Sequence, residues 1–354
     1  MGPDTRSPAT GSAPATEPRS AAAARLRSLG LRWDTAVVVL LVAVFLVGLG
    51  TTSGFTGSGN LAFAFNDISE VALIALPMTL LVVAGEIDLS VGSMLGLSSA
   101  LAGALWNAGW AFEAIVPLVL VVGVLGGLLN GWLVTRVGLP SLAVTIGTLA
   151  LYRGLASVVL GSDAVTGFPQ KYADWTANTT TVPGTFLTYP VVLFVVLAAV
   201  TAFVLHSTSF GRALFAIGAQ EEAAFFAGIR VKRYKLLLFV LTGLLSAFAG
   251  IVFTLRYGSA RADNGTGYEL LVISAILLGG IDFDGGKGTL AGAVAGTLLV
   301  GVLRNLLTLN DVPNEVQTVV TGLLLVASVL TPRVIGAVTE RRQRRAATLR
   351  TAAT

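Results

Sequence analysis

The stretch GEIDLSVGS (residues 85–93) sets two carboxylates, Glu86 and Asp88, between the apolar runs VALIALPMTLLVVA and MLGLSSALAGAL. A charged side chain at membrane depth costs about 2.5–3.5 kcal/mol on insertion scales, so it faces a cavity or a partner. Two chemistries suit such a pair. Carboxylates there could serve as a proton or sodium site in an ion-coupled carrier. They could instead hold a helix break: Asp-Leu-Ser ahead of an apolar run reads as a helix N-terminus, where negative charge suits the helix dipole. Break-holding ranks ahead of substrate contact for Asp88 and for Asp282 further along the chain. Glu86 has no firm physical account from sequence.

Other polar groups fall within or beside apolar runs. Arg153, Arg256 and Arg304 are charged; Asn66, Asn130, Thr145, Thr148 and Asn305 are not, and Ser90 adjoins the break itself. Arg153 is expected to pair with a carboxylate or with carbonyls, and Arg304 to sit at an interface. Asn130 and Thr145 could hydrogen-bond between helices or line a path. The candidate pathway and helix-break set is therefore Asn66, Glu86, Asp88, Ser90, Asn130, Thr145, Thr148, Arg153, Asp282 and Asn305.

Covalent and metal chemistry find little here. The chain has no Cys, which excludes disulfides, thiolate catalysis and Cys-based zinc sites. Its single His, His206, follows a long apolar run and reads as an interfacial residue. GGIDFDGGKGT invites a phosphate-loop reading. Ile281, however, stands where the first Gly of G-x-x-x-x-G-K-[ST] belongs, and Gly288 stands in place of Ser or Thr. No catalytic residue, metal site, bound cofactor or nucleic-acid partner is expected. Any ATP-driven step needs a partner subunit.

The elements around these residues are apolar. Of 354 residues, 54% are hydrophobic and 12% charged, with mean hydropathy +0.82. Soluble chains carry about 25% charged residues, so the deficit points to lipid as solvent. The 41 Gly suit close helix packing. The pattern predicts an all-α, polytopic membrane helical bundle with about ten transmembrane helices and an internal repeat. The segments are 35–50, 64–84, 90–108, 112–135, 140–160, 187–206, 234–256, 267–280, 289–309 and 314–332. The second carries Asn66, Asp67 and Glu70 near its start, and the eighth is short. TAVVVLLVAVFLVGLG resembles a signal-peptide core, but a long tail precedes it and no A-x-A-like site follows, so a retained first span is expected. The domain reading is a disordered basic tail over 1–34, a membrane domain over 35–332 and a second basic tail over 333–354.

With the N-terminus inside, 18 of the 23 Lys and Arg residues fall on the inner side, which places both termini in the cytoplasm. The longest internal connection, over 207–233, holds AIGAQEEAAFFAGI, with helix formers, apolar Phe225, Phe226 and Ile229, and glycines as punctuation. A short amphipathic helix there could dock a partner or lie on headgroups; physics alone favours neither.

An internal echo links GEIDLSVGSMLG at 85 to GGIDFDGGKGTL at 279. It pairs Gly85 with Gly279, Ile87 with Ile281, Asp88 with Asp282 and Gly92 with Gly286. Gly-interrupted segments at matching positions mark the pathway in transporters built from repeats. Six spans separate the copies, so both fall on the same side, whereas halves of inverted topology need an odd separation.

GEIDLSVGS, NGWLVTRVGLPSLAVTIGTLALYRGLA, FGRALFAIGAQEEAAFFAGI and LLGGIDFDGGKGTLAGAVAGTLL together resemble the permease subunits of bacterial ATP-binding-cassette sugar importers. The nearest group is the ribose, rhamnose and autoinducer-2 permeases, with the branched-chain amino acid permeases more distant. The resemblance spans roughly residues 35–332. It implies a permease in the bacterial cytoplasmic membrane, paired with a second copy or a paralogue. A sugar-binding protein outside would deliver the solute, and ATP on cytoplasmic ATP-binding subunits would drive transport by alternating access.

The resemblance also turns 207–233 into an ATPase-coupling loop made up of Gly211, Arg212, Ala216, Gly218, Gln220, Glu221, Glu222, Ala223, Ala224, Gly228 and Ile229, all of which except Gln220 match the family's pattern. Gln220 stands where many relatives have Asn, and Glu86 replaces the Gly usual in ribose-type members, which leans toward a rhamnose-like or autoinducer-2 subgroup. The rival reading is an ion-coupled secondary transporter using Glu86 and Asp88. A membrane enzyme is remote, because nucleophile–base candidates are too few.

Overall fold

The computed structural model describes residues 33–177, 181–183, 185, 187–328 and 330. The two basic tails expected from sequence lie outside the described residues, apart from Trp33 and Asp34, which open the first helix.

The fold is all-α. In chain order come α1 (Trp33–Thr51), α2 (Ser58–Asp67), α3 (Ser69–Val83), α4 (Val91–Asn107) and α5 (Phe112–Trp132), which ends in a π-turn at Leu133–Val137. Then follow α6 (Ser141–Leu160), α7 (Gln170–Thr176), α8 (Tyr189–Ser207), α9 (Ser209–Ala219), α10 (Glu221–Phe226) and α11 (Val231–Tyr257). α12 (Tyr268–Leu278), α13 (Leu290–Leu309) and α14 (314–328) complete it. Two short strands, β1 (Val165–Thr166) and β2 (Ser259–Ala260), pair antiparallel.

Six of these helices are long and apolar enough to cross a membrane, and a seventh crossing arises if α2 and α3, bent by 41°, form one span. All ten expected segments contain helix, but they are not ten full-length crossings. α4 has 17 residues and α12 has 11, or about 25 and 16 Å against a hydrocarbon core of about 30 Å. The bend between α2 and α3 falls where polar residues are held from outside the pair. Asn66 donates to the Thr176 carbonyl (2.8 Å), and Asp67 and Glu70 both bind Arg256.

Burial sorts the bundle. α3 is buried along all 15 residues, an all-round apolar helix at the centre. α1, α5, α6 and α8 turn Val, Leu and Phe side chains outward, as lipid-facing helices do. Two glycine patterns set the closest approaches. Gly123, Gly127 and Gly131 recur every fourth residue on α5, and a Cβ at any of them would collide with α11. On α4, Gly92, Gly96, Ser99 and Gly103 form one small-residue face. The segment after α11 packs down that face: Ala260 lies at Gly103, Asn264 at Ser99 and Gly96, and Gly265 at Gly92. After the short strand this descent is made by consecutive turns over 262–267, so α12 begins late and is short.

Candidate functional site

The chain from 84 to 90 breaks the path from α3 to α4. Ala84, Gly85 and Glu86 donate backward to Leu80 (3.2 Å), Val82 (2.9 Å) and Leu81 (3.1 Å), and Gly85 takes φ 82°, a helix stop that L side chains resist. The segment from α12 to α13 repeats the turn. Gly279, Gly280 and Ile281 donate to Ala275, Leu277 and Ile276, and Gly280 takes φ 90°. The structural register therefore pairs Gly85 with Gly280, one residue away from the sequence echo. Asp88 then matches Phe283, so the expected Asp88–Asp282 equivalence is corrected. The helix before each turn defines its frame, and the Gly279–Gly280 doublet offered two frames to the sequence alignment.

The two breaks touch. Gly286 donates its amide to the Val83 carbonyl (2.9 Å), and a Cβ on Gly285 would press on the Gly85 backbone. Gly218 of α9 closes the group, because a Cβ there would strike both the Val83 carbonyl and the Gly286 amide. Three backbones thus meet at one node, and only glycine permits the approach.

A charged link runs beside the node. Lys235, one turn into α11, lies 2.5 Å from a Glu86 oxygen and 2.6 Å from a Glu221 oxygen. The Lys235 and Glu86 side chains are 9% and 10% exposed, while Glu221 is 57% exposed at the start of α10. Glu86 thereby gains the account that sequence lacked: it is a buried counter-ion that ties the α3 break to α11 and, through the same ammonium, to α10.

α9 and α10 present the expected coupling segment. Thr208 caps α9 by accepting from the Gly211 amide (3.4 Å), and Gln220 is extended between the helices. Gly211 and Ala224 are buried, and Ala216, Gly218 and Ile229 are half-buried. Arg212, Gln220, Glu221, Glu222, Ala223 and Gly228 are exposed. Phe225 and Phe226 pack edge to face and stand 64% and 84% exposed, an apolar tip at the end of the bundle that holds both breaks.

Comparison with known proteins bears on this arrangement. A family described as "branched-chain amino acid transport system, permease component" matches residues 60–329. The chain belongs to this permease family. It is similar to the autoinducer 2 import system permease protein LsrD of Yersinia enterocolitica, at 35% identity over 84% of this chain and 91% of the relative. It is 34% identical to the protein of that name from Photorhabdus luminescens over 84% and 90%. For the Klebsiella pneumoniae protein the identity is 35% over 85% and 92%. No solved structure matches the chain.

Within the permease, the remaining candidates divide into separate groups. Asp88, Ser90 and Asn130 form one buried network. Ser90 donates to Asp88 through its amide (2.8 Å) and hydroxyl (2.6 Å). Asn130 donates to Ser90 (2.9 Å) and Asp88 (3.4 Å), and Tyr152 donates to Asn130 (3.4 Å). Asp88 is thus held by local turn bonds, and among the described residues no cation pairs with it. Thr145 donates to Ser141 and, at 3.5 Å, to the Ile87 carbonyl; Thr148 bonds back along α6.

The others lie apart from that network. Arg153 donates to the carbonyls of Ala262 (2.9 Å), Asn264 (2.8 Å) and Gly92 (3.3 Å), clamping the segment that descends along α4. Asp282 sits in the second break with Lys287 at 3.4 Å. Asn66 binds Thr176 and Thr188 at the far end of the bundle, and Asn305 exchanges amide bonds of 3.0 Å with Asn60. At that far end Arg261 grips Asp263 at 2.9 and 3.1 Å, and this contact holds the Asp263 carboxyl below the usual carboxylate range.

Sequence reading missed Lys235 as a partner and left Arg256 unpaired. Arg256 binds Glu70 (2.8 Å) and Asp67 (3.2 Å) and lies over the Tyr257 ring. The available signal was balance: each cation buried in an apolar run requires an acid elsewhere at similar depth.

Proposed function

We propose that the chain is the membrane subunit of an ATP-driven importer for autoinducer 2 or a related sugar-like solute such as a pentose or deoxyhexose. The observation that carries this is the node at Gly85, Gly218 and Gly286, with the Glu86–Lys235–Glu221 link beside it. An exposed segment able to dock a cytoplasmic ATPase is joined there to both helix breaks. A movement of α9 and α10 reaches the breaks through backbone contact, so ATPase closure favours one orientation of the bundle over the other. The permease performs no covalent chemistry in this reading. ATP resides on the partner ATPase, a binding protein outside delivers the solute, and a second copy or paralogue completes the membrane unit.

The relatives named for autoinducer 2 support that solute. The buried hydroxyl and amide groups of Ser90, Asn130, Tyr152 and Thr148 supply partners for a neutral, hydroxyl-rich cargo once the bundle opens. Glu86 supports the ion-coupled alternative poorly, because Lys235 already neutralises it. Uptake by a complete importer in vesicles tests the solute. Labelled autoinducer 2 should enter and be outcompeted by itself better than by ribose or rhamnose. Preferential competition by ribose or rhamnose would reassign the cargo.

A further inference from the structure

A lipid-facing groove runs between α8 and α11 over α3, with a volume of about 340 Å³. Leu80, Val200, Val204, Phe210, Leu237 and Leu241 line most of it, and among the described residues no carboxylate does. Its lower end closes on Phe210, which stacks on Tyr234 with centroids 5.1 Å apart. Tyr234 in turn lines a second cavity of about 380 Å³, which Arg212, Arg230 and Ser209 also line. Both volumes fall in the range of small-ligand pockets. Arg212 and Arg230 are exposed, and among the described residues neither has an acidic partner. An apolar slot therefore leads through one aromatic pair to two unpaired guanidiniums. Anionic lipid has that order of chemistry: acyl chain, ester region, phosphate. Basic pockets at the inner membrane surface recognise such headgroups.

We infer that this bipartite groove binds an anionic phospholipid, with an acyl chain along α8 and α11 and its phosphate between Arg212 and Arg230. The site is independent of the solute carried. A lipid seated there would brace α9 against α8 and α11, next to the segment that carries Gly218.

The test is native mass spectrometry of the full chain in detergent, titrated with phosphatidylglycerol or with phosphatidylcholine of matched acyl chains. Each cation contributes about fivefold, so one phosphatidylglycerol should bind about 30-fold more tightly than phosphatidylcholine. Arg212→Gln with Arg230→Gln should erase that preference while leaving phosphatidylcholine binding intact. Val200→Trp fills the groove from a half-exposed position and should weaken both lipids. Millimolar inorganic phosphate should displace neither. Several outcomes would overturn the proposal. Equal affinity for the two lipids would leave the cations to a protein partner. Selectivity that survives the double substitution, or full displacement by phosphate alone, would remove the lipid site. A Val200→Trp variant that loses a dimer and keeps its lipids would give the groove to a second copy.

Discussion

Replacing Lys235 with Met probes the charged link at its centre. The ammonium lies 2.5 Å from Glu86 and 2.6 Å from Glu221. Glu86 is 10% exposed, so losing its only described cation strands a buried carboxylate, at a cost of about 3–5 kcal/mol. Glu221 is 57% exposed and screened, so the second pair adds no more than about 1 kcal/mol. Glu86→Gln in the Lys235→Met background removes the stranded charge and should recover most of the larger loss. A double-mutant cycle should then return a coupling of about 3 kcal/mol for Glu86–Lys235 and below about 1 kcal/mol for Glu221–Lys235. Unfolding of the purified chain, titrated from a mild detergent into sodium dodecyl sulfate, reads all four corners. If Lys235→Met costs the same whether Glu86 is present or already replaced by Gln, the two residues are uncoupled and the reasoning fails.

The same logic reaches other positions. Gly218→Val forces a side chain into the Val83 carbonyl and the Gly286 amide; it should lower stability by about 1–3 kcal/mol and reduce uptake, and wild-type unfolding would discard the node. Asn130→Leu removes the donor to Ser90 and Asp88, which should cost about 1–3 kcal/mol in the same titration and weaken uptake; unchanged stability would remove the network as a structural tie. Phe226→Asp, at an 84% exposed position, should shift stability by less than about 0.5 kcal/mol yet reduce copurification of the ATPase subunit, and undiminished copurification would exclude the aromatic tip from docking. Glu222 is a cleaner charge-reversal probe of docking than Glu221, because Glu221→Lys also sets two ammonium groups against each other at Lys235.

Much of the architecture was legible because its signals are local. Apolar runs marked each helix, and glycines with basic flanks marked the connection that became α9 and α10. The break at 84–90 was visible as polar residues between two runs. What the sequence hid depends on pairing at a distance. Glu86 and Lys235 are 149 residues apart, and no periodicity relates them. The echo slipped by one residue because the stop is defined by carbonyls in the preceding helix, which identity alignment does not weigh. The short α12 follows from a strand-and-turn segment packed along Gly92, Gly96, Ser99 and Gly103. That spacing of four, three and four was present in the sequence, but it reads equally as a helix–helix face. The ten pathway candidates were grouped by being polar at depth. The structure separates them because Asn66 and Asn305 bind at the far end, while Asp88, Ser90 and Asn130 share one network.

The central claim is that ATP hydrolysis by a partner, relayed through the segment at Gly218, drives this permease. The most direct measurement is uptake of labelled autoinducer 2 into proteoliposomes that hold the full chain, with its ATPase and binding protein supplied. The account expects uptake with ATP and no ion gradient, and none with a proton or sodium gradient alone. Uptake driven by an ion gradient in the absence of the ATPase would contradict it.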